Sequence, residues 1–228
     1  MSICLCGESA EKALDLIALK KMGQLGRAGQ TAFETCRAGK RELRPALELL
    51  PPLERPVHLL VSRQELRVTD ALSKSHVCTS ILPADSLISL APEIYVASPE
   101  LNALLEMRGR SRMERALVIM GYCGIFAIDE GSEDGFVRRP QLTTVSRLRE
   151  FAEQMGFGSH TLGLLEAARL ALERARSPLE ARLALALTAP AALGGLGIVK
   201  PELNATIKLG KEGRALVGSA HVDGDIVW

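Results

Sequence analysis

The chain is poor in the groups that announce a function by themselves. Aromatic residues make up 4% of its 228 positions, too few for the stacking platforms on which single-strand nucleic-acid binders are built. Basic and acidic residues nearly cancel, 28 against 27, so the marked basic excess of a dedicated duplex binder is missing. No apolar run approaches the roughly 20 residues that span a membrane, and no membrane partner is expected. The opening Met1-Ser-Ile-Cys-Leu-Cys has neither the basic start nor the apolar stretch of a secretory signal. Five cysteines (Cys4, Cys6, Cys36, Cys78 and Cys123) are odd in number and contain no C-x-x-C pair. That spacing argues against a disulfide framework or structural zinc and for reduced thiols in a cytoplasmic protein. Phosphate-cradling loops are absent too: Gly194-Gly-Leu-Gly197 has the wrong spacing and follows a helical stretch. No serine sits in a G-x-S-x-G elbow.

What is present is an ordinary globular composition, 47% apolar and 24% charged, long enough for two small domains with separate cores. Residues 1–54 open with an apolar strand, Ile3 to Leu5, and a helical pattern through Ala13, Leu16, Ile17 and Leu19 that Gly23, Gly26 and Gly29 break; Leu43 to Leu50 reads as a further helix before Pro51-Pro52. Residues 55–128 carry strand signals: Val57–Ser62, His76–Ser80, Ser86–Leu90 and Glu93–Ala97, separated by prolines. Ser98-Pro99-Glu100 then starts a helix with serine as cap and proline in the first turn, and another runs from about Met113 to Met120. The glycine-bearing stretch 129–142 reads as a linker. Leu142–Met155 and Thr161–Arg176 follow as amphipathic helices. The expected class is α+β or mixed α/β: a small N-terminal α+β unit over 1–128, then helices and a second domain over 142–228.

The informative chemistry lies near the C-terminal end. Ser177-Pro-Leu-Glu180 is a strong helix start, in which the glutamate reaches back to the cap's amide as a capping box. Leu179, Leu183 and Leu187 supply an apolar face for that helix. Ala205–Leu209 alternates as a strand, Gly210-Lys-Glu-Gly213 turns the chain, and Ala220–Trp228 returns. On the returning strand Asp223 and Asp225 share one face, a placement that strand interiors disfavour. Two readings stand open. The pair either guards an exposed edge against aggregation, or it holds Mg²⁺, a hard cation that takes carboxylates, waters and substrate phosphate and activates an attacking water.

Ser177-Pro-Leu-Glu-x-x-Leu, Pro201-Glu-Leu-Asn204 and Asp225-x-x-Trp228, with Pro56-Val-His-Leu-Leu-Val, Ile94-Tyr-Val-Ala-Ser-Pro-Glu100 and Gly121-Tyr-Cys-Gly124 upstream, resemble a bacterial family of endonuclease-like proteins related to the very-short-patch repair endonuclease. The resemblance implies a C-terminal domain of the PD-(D/E)xK nuclease type, here partial and restriction-endonuclease-like, and an N-terminal region similar to abortive-infection antitoxins. It implies that Glu180 is the helix glutamate, Asp225 the metal-binding aspartate, Asp223 an alternative ligand, and Trp228 a packing residue. Asn204 falls on a recurrent asparagine to which the resemblance gives no role. In that family a further acidic strand completes the site, so this chain is expected to be a fragment or remnant, inactive in hydrolysis as it stands. The competing reading is a non-catalytic DNA-binding regulator or antitoxin, with a toxin or a second copy as partner.

Among the remaining residues, Arg138 and Arg139 form a basic pair able to touch a phosphate backbone, and Arg108-Gly-Arg-Ser-Arg112 is the other dense basic cluster. His221, four residues before Asp225, shares its strand face. His58 reads as a core histidine within an apolar strand, and His76 and His160 carry no signal.

Overall fold

The computed structural model describes residues 2–49, 53–156 and 158–228. Strand β1 (Ile3–Leu5) leads into helix α1 (Gly7–Ala18), followed by β2 (Gly26–Ala28), α2 (Gln30–Glu34) and α3 (Lys40–Leu49). Next come β3 (Val57–Val61), β4 (Ser73–Val77), β5 (Leu87–Ala91), β6 (Ile94–Ala97), α4 (Pro99–Glu106) and α5 (Arg112–Tyr122). A hairpin of β7 (Phe126–Ile128) and β8 (Phe136–Arg138) precedes α6 (Val145–Gln154), α7 (Ser159–Leu170) and α8 (Pro178–Thr188). Strand β9 (Glu202–Lys208), helix α9 (Lys211–Val217) and strand β10 (His221–Val227) complete the order. The described residues thus form an α+β fold with a six-stranded mixed sheet. None of their helices is long and apolar enough to cross a membrane.

The chain divides into two compact units. One runs to Arg110 and resumes over Ser146–Leu165; the other takes Ser111–Val145 and Glu166–Trp228. Both are discontinuous in sequence, unlike the consecutive 1–128 and 142–228 expected.

The first unit holds the six-stranded sheet, in the order β2-β5-β6-β1-β3-β4. Strand β1 pairs parallel with β6 and antiparallel with β3, and β3 runs parallel to β4. The apolar runs Ile3-Cys-Leu5 and Val57–Val61 occupy these interior strands and are almost wholly buried, which is why they read as unbroken rather than alternating. Helix α1 packs on β3, β6 and α4 and buries Ala10, Ala13 and Leu14, the i, i+3, i+4 stripe of an amphipathic helix. Ser98 caps α4 as expected, its Oγ accepting the Leu101 amide at 3.3 Å. Strand β4 begins at Ser73, ahead of the expected His76, because Asp70 Oδ1 accepts the amides of Leu72 and Ser73 and delivers the chain into parallel register with Val57. Strand β2, masked in the sequence by its glycines, pairs antiparallel with β5. The helix expected over Leu43–Leu50 is α3; Leu50, Pro51 and Pro52 lie outside the described residues.

In the second unit, three expectations fail for identifiable reasons. The 129–142 stretch is no linker: its first half is the turn of the β7–β8 hairpin, closed by Asp129 N–H to the Gly135 carbonyl and by the Ser132 hydroxyl to the Phe136 carbonyl. Asp, Gly and Ser serve a tight turn as readily as a linker, and the Phe126–Phe136 edge-to-face contact at 6.4 Å decides for the turn. Helix α8 does not bury Leu179 and Leu183, which are 75% and 50% exposed. It buries Ala181, Ala184, Leu185 and Thr188, a second i, i+3, i+4, i+7 stripe whose small side chains suit its packing on α5. Between β9 and β10 stands α9 rather than a tight turn, ended by Gly218 at φ +71, the left-handed C-terminal cap that favours glycine.

Candidate functional site

The site is built in the second unit where the chain leaves α7. That helix stops at Leu170 instead of reaching Arg176. Arg174 adopts φ +66, and the 171–176 segment ties itself to the start of the hairpin, Arg174 N–H donating to the Cys123 carbonyl and Ile125 N–H to the Ala175 carbonyl. Ser177 then opens α8, its Oγ accepting the Glu180 amide at 3.1 Å, with Pro178 in the first turn. A capping-box glutamate returns to the cap's own amide; Glu180 reaches one residue further, its Oε2 accepting the Arg176 amide at 2.7 Å.

The other carboxylate oxygen leaves the helix altogether. Glu180 Oε1 accepts Asn204 Nδ2 at 2.7 Å, and the same Nδ2 donates to the Arg174 carbonyl at 2.9 Å. Asn204 is fully buried on β9 with φ +52, a left-handed conformation that asparagine tolerates better than most residues. Its Oδ1 is buried without a hydrogen-bond partner, a costly arrangement for an amide oxygen.

Strands β9 and β10 pair antiparallel, Asp223 with Thr206, Gly224 with Ala205 and Ile226 with Leu203; Asp225 and Asn204, the latter at φ +52, lie between the last two of these pairs. Asp223 Oδ1 accepts the Thr206 hydroxyl at 3.0 Å and Oδ2 the Arg176 guanidinium at 2.8 Å. The hydrogen bond from Arg176, with that from Thr206, holds the Asp223 carboxyl below its ordinary value. Asp225, two residues on, lies on the same face of β10 and is exposed.

Glu180, Asp223 and Asp225 have different duties. Glu180 is both a helix-entry acceptor and the partner of Asn204. Asp223, the alternative metal ligand, is engaged by Arg176 and Thr206 instead. Asp225 keeps an exposed carboxylate. Among the described residues no group of three or more His, Cys, Asp or Glu side chains could hold a metal ion. The Asn204 amide oxygen is sealed inside, whereas Asp225 stands exposed. An open hollow of about 470 Å³ is lined by Leu172, Glu173, Arg174, Lys200, Leu203 and Thr206 among others.

The basic pair divides. Arg138 is exposed at the end of β8. Arg139 is buried, 6% exposed, and its guanidinium donates to the carbonyls of Gly121, Gly124 and Pro140. A side chain so engaged fastens the hairpin to the end of α5 and does not reach a phosphate; that expectation is corrected. The Arg108–Arg112 cluster is also engaged: Arg108 on the Val77 carbonyl, Arg110 on that of Glu106, and Arg112 in an ion pair with Glu166 at 3.1 Å. His221 is exposed opposite Lys208 at the far end of β10. Trp228 is 65% exposed, held by its indole N–H on the Val199 carbonyl.

Arg176 and Thr206 are the members that the sequence did not disclose. Their contacts to Asp223 span 47 and 17 positions. Only the second was recoverable, from hairpin register, and the unforeseen α9 obscured it. No protein-family model, characterised protein or solved structure matches the chain.

Proposed function

We propose that the second unit is endonuclease-like and engages the phosphodiester backbone of DNA through Asp225 on β10, with Mg²⁺ between protein and phosphate. The observation that supports this reading is Asp225, an exposed carboxylate two residues along β10 from Asp223, which Arg176 ties to the segment that enters α8. Hard oxygen donors of this kind suit Mg²⁺, which is held by one or two carboxylates and completes its shell with water and substrate oxygens rather than with a protein cage. The exposed Asp225 carboxylate would meet the ion, with waters and substrate oxygens completing its shell. The ion would supply charge stabilisation at the phosphoryl oxygens and an acidified water. Arg174, exposed at the rim of the hollow, is placed to meet a phosphate of the bound strand.

One carboxylate is a sparse set for turnover, and binding without measurable hydrolysis is the outcome expected of these 228 residues. A plasmid-relaxation assay in Mg²⁺ or EDTA tests it. Mg²⁺-dependent retention of DNA that Asp225→Asn removes supports the reading. A non-catalytic DNA-binding regulator or antitoxin is favoured instead by the commitment of Asp223 to Arg176, and it predicts DNA binding indifferent to both Mg²⁺ and Asp225→Asn.

A further inference from the structure

In the first unit, two half-buried histidines that the sequence gave no reason to connect meet on one face of the sheet. Parallel pairing sets His58 beside Lys74 and Leu60 beside His76, so His58 and His76 are diagonal neighbours on the same side of β3 and β4. His58 Nδ1 and His76 Nε2 are 3.3 Å apart. Their ring centroids lie 5.0 Å apart with planes inclined at 37°, closer than head-on rings would stand at that nitrogen separation.

We propose that His58 and His76 form a two-histidine site for a late first-row divalent ion of the zinc, nickel or copper class. Without an ion the two nitrogens form a hydrogen bond whose donor depends on the tautomer. Two imidazole nitrogens bound to one tetrahedral ion at roughly 2.0–2.1 Å stand about 3.3–3.4 Å apart. The observed 3.3 Å spacing therefore also fits ligands to a common ion, an arrangement that exchange of that proton for metal would reach with little movement.

The surroundings fix the pair and keep it in ligand form. The His58 backbone is fastened to the start of α1, its N–H donating to Ser9 Oγ at 2.9 Å and its carbonyl accepting the Cys6 amide at 3.0 Å. Gly7, at φ +55, passes so close that a Cβ there would lie 3.0 Å from His58 Nδ1; a side chain at position 7 would crowd the ring as well as strain the backbone. Burial, then Lys74, push His58 down against the opposing pull of Glu8. Burial, then His58, Lys74, Arg108 and Arg67, push His76 down. Both shifts favour the neutral ring. Imidazole donors select zinc, nickel and copper over magnesium and calcium, so this site is independent of the carboxylate face. Because no third His, Cys, Asp or Glu joins the pair among the described residues, water or an external ligand completes the shell.

Calorimetric titration of the full chain with Zn²⁺ at pH 7.2 in a non-chelating buffer tests the proposal. One ion per chain is expected, with at least tenfold weaker binding in His58→Gln and in His76→Gln. The five cysteines are buried and do not compete. Imidazole ¹⁵N shifts of the unsubstituted chain during the same titration keep the test independent of how the variants fold: His58 Nδ1 and His76 Nε2 are expected to shift together. Absence of saturable binding, binding unchanged in both variants, or shifts confined to His160 and His221 would overturn it.

Discussion

Asn204 places its amide nitrogen 2.7 Å from Glu180 Oε1 while its amide oxygen is sealed in the interior without a partner. One side chain thus joins the first turn of α8 to the β9–β10 ribbon and bonds the Arg174 carbonyl as well. Asn204→Ala removes both hydrogen bonds, takes the partner from a half-buried carboxylate oxygen and puts alanine at φ +52. Loss of about 2–4 kcal/mol is expected from such a combination, read as a lower urea midpoint at unchanged slope. Asn204→Gly relieves the backbone but not the hydrogen bonds, and should recover only part of the loss. A neutral Asn204→Ala would remove Asn204 as the hub of the site.

How far this could be read beforehand differs from residue to residue. Ser98-Pro99, Ser177-Pro178 and the apolar runs at Ile3 and Val57 have local causes (caps, a fixed φ, burial on both faces of a sheet), and they form the elements they announce. Asp129–Gly135 and Lys211–Val217 went astray because turn-forming residues suit several backbones and only pairing across the chain chooses among them. In α8 two apolar stripes competed, and the smaller one won through packing on α5. The Arg176–Asp223 and His58–His76 contacts depend on register, for which no local signal exists.

The carboxyl of Asp223 should titrate below the ordinary aspartate value of 3.8, because Arg176 and then Thr206 hydrogen-bond its charged form. A group depressed in the folded state contributes stability that is present above its unfolded pKa and lost as pH falls through the folded one. Carboxyl ¹³C titration followed by NMR checks the direction. Arg176→Gln should move the midpoint back up, and added salt should do the same in part, since the pair is open to solvent.

Arg138 and Arg139 should behave as opposites. Arg139→Ala deprives three main-chain carbonyls of a charged donor and should cost roughly 2–4 kcal/mol; Arg138→Ala, at an exposed position, should leave stability within about 0.5 kcal/mol. Thermal melts of the two variants separate them. Equal melts would mean that Arg139 does not fasten the hairpin.

The histidine pair gives a second pH dependence. With both pKa values lowered from 6.5, by burial first, the unfolded chain binds more protons than the folded one between the folded and unfolded values. Stability is therefore complete above about pH 6.5 and declines as pH falls through that window. Denaturation midpoints between pH 5 and 8 should show this decline, and the double variant His58→Gln, His76→Gln should flatten it.

All five cysteines are buried. Burial raises Cys4 and Cys6 well above the ordinary thiol and Cys36 to about 12, so these three are protonated, inert thiols at neutral pH. A thiol reagent at pH 8 should label the native chain slowly, and label all five positions once urea unfolds it. Rapid labelling of Cys4, Cys6 or Cys36 in the native state would contradict the burial described.

In the function proposed above, Asp225 on β10 links DNA to the second unit through Mg²⁺. Fluorescence anisotropy of a labelled duplex, titrated with the full chain in Mg²⁺ and in EDTA, tests it most directly, since Asp225 is exposed and Asp225→Asn should fold normally. Tighter binding in Mg²⁺ is expected, with the gain abolished by Asp225→Asn and binding in EDTA unchanged. Binding of equal strength in Mg²⁺ and EDTA, alike in both proteins, would contradict it.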